Sequence, residues 1–353
     1  MLSGLGVALP PSAVQEDLWD GYFAHHYTGT RKALARRIFA NAGVRTRQAV
    51  VSPLIEDVSG WSTERRMRRY QMEAMPLGKA AVGRALDDAG LAADELGLFA
   101  VCSCTGYATP GLDILLARDM GMSPSVQRLF VGHMGCYAAL PGLGAVSDYV
   151  TARGRPALLL CAELTSLHLQ PAGSRTDIQQ IVSHALFSDA AAACVITPGP
   201  SRSTTRGYAV SEVAAVTDTT TADHMTWEVT DEGFRMGLSP QVPSVLSAHV
   251  RPLVDDVLGR SGLTVADIDG WAIHPGGPKI LDVVQEKLEL GDEAMAASRG
   301  VLSAHGNCSS PTVLLVLDAL RRRENPPRRI VMLAFGPGLT LYVTLLDGSN
   351  LGA

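Results

Sequence analysis

The chain has 353 residues, 46% of them hydrophobic and 18% charged, with a formal net charge of -5. This composition belongs to a packed globular protein and argues against a disordered chain or a nucleic-acid binder. No run of about 18 apolar residues occurs, so no segment reads as membrane-spanning. The length fits two domains or one duplicated unit, and the low charge content fits an oligomer that buries surface.

The first ten residues, MLSGLGVALP, lack the charged start and apolar core of a signal peptide. The six cysteines, at 102, 104, 136, 161, 194 and 308, form no Cys-x-x-Cys pair and meet no histidine cluster. They read as reduced thiols in a cytoplasmic protein, with no metal site.

Residues 64–92 carry a helical stripe of Met67, Tyr70, Ala74, Leu77, Ala81, Ala85 and Leu86, closed by Gly90. Within it, Arg65, Arg66, Arg68 and Arg69 read as a solvated face, as do Arg321, Arg322 and Arg323 near a later helix end. Leu98 to Cys102 read as a buried strand, Leu112 to Met120 as a helix, and Val126 to Val131 as a second strand. After the turn 132–135, a helix is expected to begin near Cys136. Ala157 to Cys161 and Ala190 to Thr197 are strand-like. The second half repeats this grammar. Ser244 to Gly262 are helical, Gly270 to Ile273 a strand, and Lys279 to Leu290 a helix with Pro278 in its first turn. Ser309 to Arg323 form the next helix. Arg329 to Ala334 and Leu339 to Leu345 are strands around Phe335-Gly336-Pro337-Gly338. Alternating strands and helices predict an α/β protein of two duplicated halves with mixed sheets. The halves are expected at 1–200 and 201–353, with the boundary near 198–207 and Pro198-Gly199-Pro200-Ser201 as linker.

Three residues stand out chemically. Cys136 follows a strand and opens a helix, where the helix dipole favours a thiolate. His274 ends a strand before Pro275-Gly276-Gly277. Asn307 follows Gly306 ahead of Ser309 and Ser310, either of which could cap a helix. Each alone also reads as ordinary structure: a buried thiol, a satisfied histidine, a turn asparagine. Together they form a Cys–His–Asn set at element ends. A papain-like cysteine hydrolase shares that order and spacing, but the sequence lacks its Cys-Gly-Ser-Cys-Trp signature.

The segments Trp271-Ala272-Ile273-His274-Pro275-Gly276-Gly277-Pro278, Gly306-Asn307-Cys308-Ser309-Ser310 and Phe335-Gly336-Pro337-Gly338-Leu339-Thr340 resemble those of the type III polyketide synthases, the chalcone synthase-like family. Leu186-Phe187-Ser188-Asp189-Ala190 and Gly135-Cys136 also resemble family segments. Ala334 departs from the family's glycine. The resemblance runs from about residue 35 to the C-terminus. It implies a thiolase-like αβαβα layered fold, a homodimer, and an acyltransferase that condenses malonyl-CoA onto an acyl-CoA starter held on Cys136. It implies no redox cofactor, no metal and no carrier protein. A carrier-protein-dependent ketoacyl synthase shares the fold and the set, and a non-catalytic relative is also conceivable.

The resemblance further implies a gatekeeper at Phe187 and a second one at Met236, where the family has Phe; neighbouring Phe234 could compensate. Cys104, Thr165, His168, Trp227 and Ser309 fall on cavity positions, as do Gly336, Pro337 and Gly338 of the loop. His168 and Trp227 exceed the family's Thr and Gly, which implies a smaller cavity and a small pyrone, resorcinol or phloroglucinol product. Arg37 and Lys279 fall where CoA would be bound.

Overall fold

The computed structural model describes residues 1–170, 178–199 and 207–348. Thirteen strands are present among them: β1 (Leu2–Ala8), β2 (Ser12–Val14), β3 (Thr46–Gln48), β4 (Leu98–Cys102), β5 (Gln127–Val131), β6 (Ala157–Leu164), β7 (Asp189–Ile196), β8 (Ala209–Thr217), β9 (Met225–Thr230), β10 (Gly233–Leu238), β11 (Gly270–Ile273), β12 (Arg329–Gly336) and β13 (Thr340–Asp347). One mixed sheet runs β1-β7-β6-β4-β5 and a second runs β11-β12-β13-β8. β4 is parallel to both β5 and β6, and β11 is parallel to β12; the other pairings in these sheets are antiparallel.

The helices Ala139–Arg153 and Thr312–Arg321 lie between the sheets. Their Leu140, Leu143, Val313 and Leu317 pack with Ala100, Leu159 and Ala192 of the first sheet and with Ile330 and Met332 of the second. Helix Thr63–Ala89 covers the outer face of the first sheet, and helices Val242–Arg260 and Pro278–Leu288 cover that of the second. Three helical and two sheet layers make the fold α/β and thiolase-like.

Local chemistry explains the long outer helix. Ser62 caps its start, accepting from the Arg65 N–H at 3.3 Å, and Gly90 ends it in the left-handed region at φ 66°. Its buried stripe is mostly small: Ala74, Gly78, Ala81, Ala85 and Ala89. That lets β1 approach so closely that a Cβ on Gly4 or Gly6 would sit 2.2 or 2.3 Å from the Ala85 or Ala81 carbonyl.

Two expected solvated blocks are only partly solvated. Arg66 is fully buried and Arg321 is 6% exposed. Arg66 turns inward because backbone carbonyls are waiting there: Nε donates to Trp61 O at 2.9 Å and Nη2 to Ser59 O at 3.0 Å. The helix expected at Cys136 begins three residues later, at Ala139, because Gly135–Tyr137 form a tight 3₁₀ turn. The expected boundary and linker fall largely outside the described residues.

Candidate active site

Cys136 sits on the turn between β5 and the central helix. Gly135 holds that turn at φ 70°, and a Cβ there would meet Pro337 Cδ at 2.9 Å. Gly336 is equally constrained: a Cβ would lie 2.8 Å from the Tyr137 ring and 3.4 Å from Cys136 N. Gly336, Pro337 and Gly338 therefore form the hairpin that backs the turn carrying Cys136.

His274 continues from β11 and donates its backbone N–H to Leu333 O at 2.7 Å. It is fully buried, edge-on to Phe335 at 5.5 Å. The end of β12 thus carries both neighbours, Phe335 against His274 and Gly336 against Cys136. Among the described residues, neither ring nitrogen of His274 has a hydrogen-bond partner. Burial alone pushes its pKa down to about 3. The ring is neutral at physiological pH and free to accept at one nitrogen and donate at the other.

Asn307 follows helix Asp292–His305, which Gly306 ends at φ 67°. Its backbone N–H donates to Leu186 O at 2.8 Å, and its carbonyl accepts from Ser188 N at 2.9 Å. The side-chain Oδ1 accepts from Ser309 N at 2.8 Å. This fixes the amide orientation and leaves its N–H₂ for the pocket. The Ser309 hydroxyl and this amide both act to lower the Cys136 pKa and so favour its thiolate.

Burial outweighs them. The Cys136 thiol is pushed up to about 11, first by desolvation, with the Glu163 charge adding to it. Burial thus opposes the thiolate that a helix start would favour, while Ser309 and Asn307 act in the other direction.

The cavity beside the triad gathers Phe187, Met236, Thr165, His168 and Trp227, with a volume of about 60 Å³. Phe187 pairs with Asn307 in a β-bridge, so the gate position and the amide share one backbone ladder. Met236 lies directly across from Trp227 in the β9–β10 hairpin. Phe234, two residues before Met236, shares its face and stacks on His168 at 4.5 Å. His168 Nε2 donates to Thr105 O at 2.6 Å, while its Nδ1 accepts from Phe234 N at 2.9 Å. Trp227 Nε1 donates to Cys104 O at 2.8 Å. Thr165 donates to Ser188 O at 2.8 Å.

Glu163 was not singled out from the sequence. It is fully buried near the triad, accepting from Cys104 N at 3.0 Å, Thr105 Oγ1 at 2.7 Å and Ser310 Oγ at 2.8 Å. Burial raises its pKa, chiefly by desolvation. The Cys104 thiol is pushed well up by burial, then by Glu163. Cys104 Sγ lies 3.9 Å from Ser309 Oγ. A lone carboxylate in the all-apolar run Ala157–Leu164 was the signal available. Asp189 is similar: fully buried, it accepts from Val50 N at 2.8 Å and Ser166 N at 2.8 Å.

Arg37 and Lys279 are both exposed. Arg37 is in the last turn of helix Thr30–Ala40, and Lys279 in the first turn of Pro278–Leu288. The loop after the first of these helices reaches the start of the second, since a Cβ on Gly43 would lie 3.0 Å from Pro278 Cγ. Among the described residues, no group of three or more metal-ligating side chains occurs. No described helix is long and apolar enough to cross a membrane.

The N-terminal domain of chalcone and stilbene synthases matches residues 1–200, and their C-terminal domain matches residues 211–349. The chain belongs to the chalcone and stilbene synthase family. It is 32% identical to the alpha-pyrone synthesis polyketide synthase-like Pks18 of Mycobacterium tuberculosis, over 98% of this chain and 91% of that protein. It is 37% identical to the 1,3,6,8-tetrahydroxynaphthalene synthase of Streptomyces peucetius, over 90% of this chain and 84% of that protein. The structure of the tetrahydroxynaphthalene synthase of Streptomyces coelicolor, described as a bacterial type III polyketide synthase, superposes with a TM-score of 0.90 at 29% identity. It covers 98% of this chain and 99% of its own. The protein is thus a type III polyketide synthase, a condensing acyltransferase. This disfavours both the carrier-protein-dependent ketoacyl synthase and the papain-like hydrolase.

Proposed function

We propose that Cys136, His274 and Asn307 form the catalytic triad, with the cysteine supplied by the half at 1–200 and the other two by the half at 201–353. The unpartnered ring nitrogens of His274, fully buried beside an oriented Asn307 amide, carry this reading. A buried polar group without a partner is costly and marks a place that a substrate completes.

In the proposed cycle, Cys136 attacks an acyl-CoA starter as His274 accepts the thiol proton, and CoA leaves as its thiol. Malonyl-CoA then loses CO₂. The enolate oxygen that develops lies between an N–H of His274 and the Asn307 amide. Its carbon attacks the Cys136 thioester, the Cys136 sulfur leaves, and the extended chain, now on CoA, is transferred back to Cys136 with release of the CoA thiol. Further rounds lengthen the chain before it cyclises.

The two large side chains His168 and Trp227 narrow the cavity, which favours a small pyrone, resorcinol or phloroglucinol product. Phe187, Met236 and Phe234 frame the entry. Arg37 and Lys279 are exposed cations that would bind CoA phosphates without metal, further cofactor or carrier protein. β5 leaves one edge unpaired and exposes Leu129 and Phe130, at 39% and 40%. An edge of this kind suits pairing with a second copy in a cytoplasmic homodimer.

Purified protein incubated with malonyl-CoA and a panel of acyl-CoA starters, with Cys136→Ala beside it, tests the reading. Carrier-free CO₂ release and cyclised products, absent in the variant, support it. Equal product from the variant rejects it.

A further inference from the structure

Two buried arginines lie near the cavity, and their partners differ. Arg66 donates to four backbone carbonyls: Trp61, Ser59, Leu167 and Leu169. Arg47 is 8% exposed, and among the described residues its hydrogen bonds run from Nη1 to the carbonyls of His184 and Phe187. The rings of Phe23 and Phe39 lie 5.5 and 5.8 Å from its guanidinium carbon. Among the described residues no carboxylate is within ion-pair distance of it. Asp189, whose charge reaches it most strongly, already accepts hydrogen bonds from Val50, Thr165 and Ser166.

Arg47 lines the cavity together with Thr165, Ser166, Gln180, Ser183 and His184. These polar groups cluster on one side of a cavity whose remaining lining, including Leu18, Val51 and Leu169, is largely apolar. His184 does not compete as a cation: burial, then the charges of His26 and Arg47, hold it neutral. A cation taken out of water without a counter-ion is unfavourable unless something pairs with it. Carbonyls take Nη1, and Nε with Nη2 remain as a planar pair of donors. That fork matches the two oxygens of a carboxylate.

We propose that Arg47 binds a carboxylate at the distal end of the acyl chain, so that the preferred starter is the CoA thioester of a short dicarboxylic acid. This rests on the condensing role proposed for Cys136. On loading, the Cys136 sulfur bonds to the acyl carbon, CoA leaves as its thiol, and the distal carboxylate is unchanged. Pairing with Arg47 protects that carboxylate, because an ion pair stabilises the charge that decarboxylation must dissipate. The malonyl carboxylate that is lost sits instead by the neutral His274. The small cavity, about 60 Å³, favours a short diacid.

The test compares starters matched in length, succinyl-CoA against butyryl-CoA, each with malonyl-CoA as extender, and reads kcat/KM. The wild-type enzyme is expected to prefer succinyl-CoA by ~10-fold or more, the range of a charge-assisted hydrogen bond. Arg47→Gln is expected to lower the succinyl-to-butyryl ratio by ~10- to 100-fold, and Arg47→Lys to retain part of it. Equal use of the two starters by the wild type overturns the proposal, and decides it even where the glutamine variant fails to fold. A parallel loss on both starters in Arg47→Gln also overturns it and assigns Arg47 to holding the Phe187 carbonyl. Condensation with neither starter, nor with any other acyl-CoA, overturns the condensing role itself and this proposal with it.

Discussion

His168 and His274 are buried alike, at 5% and 0% exposure, and burial pushes both down to about 3. Their partners separate them. His168 has both ring nitrogens bonded, to Thr105 O and Phe234 N, and it stacks on Phe234. His274 has neither nitrogen bonded. A titration argument would rank the two rings equal. Hydrogen-bond satisfaction separates a ring that shapes a wall from one that awaits a substrate.

The sharpest way to break this comparison is to truncate both. His274→Ala should lower kcat by ~10²–10³-fold with little change in melting temperature, and Asn307→Ala should act similarly, since each removes one oxyanion donor. The double variant should lose less than the product of the two single losses, because both donors serve one oxygen. His168→Thr should do the reverse. It removes the acceptor of Phe234 N–H and the aromatic stack, so urea unfolding should show a loss of ~1–3 kcal/mol while turnover persists. Equal kinetic damage from both histidines would erase the distinction.

Much of this site was legible in the sequence, for a physical reason. Cys136, His274 and Asn307 each lie at or near an element end with a glycine within two residues, and glycines that free the backbone leave a local signature. Helix Thr63–Ala89 was legible through the helical spacing of Met67, Tyr70, Ala74, Leu77, Ala81, Ala85 and Leu86 and through Gly90. Arg66, Arg47, Glu163 and Asp189 were not. The partners of Arg66 include carbonyls about a hundred residues away, at Leu167 and Leu169, so its neighbours in sequence made it look solvated. The β9–β10 hairpin that delivers Trp227 and Met236 was missed as well, because its packing against His168 is entirely long-range. At Cys136 burial opposes the effect of the helix start, and burial is not visible in a strand–turn–helix pattern.

The cavity wall makes the next prediction. Trp227→Gly deletes the ring that lies 5.4 Å from His168 and donates to Cys104 O. Mass spectrometry should then show products lengthened by at least one extension. Unchanged product lengths would mean that Trp227 does not limit growth.

The thiol and the two rings also set a pH dependence. Each imidazole has a folded-state pKa below its unfolded value, so the unfolded chain binds protons that the folded chain refuses. Stability from His168 and His274 is therefore present above about pH 6.5 and lost as pH falls toward about 3. Melting temperature should drop steadily from pH 7 to pH 4, and less steeply in His168→Thr. For Cys136, iodoacetamide inactivation of the free enzyme should keep rising through pH 10, since the thiol titrates at about 11. A plateau near pH 7 would show instead a preformed thiolate–imidazolium pair.

The smallest effect should come from Arg68, two residues beyond Arg66 on the same helix. Arg68 pairs with Glu64 at 2.5 Å, yet the two side chains are 77% and 71% exposed. Water already solvates both charges, and ordering two long side chains offsets most of the attraction. Arg68→Ala should change stability by no more than ~0.5 kcal/mol and leave the product profile as it was. The comparison with Arg66, whose guanidinium is enclosed by carbonyls, then isolates burial as the variable. A loss at Arg68 above ~1 kcal/mol would mean that this face is covered in solution, and sedimentation of the variant against the wild type would show whether a second copy covers it.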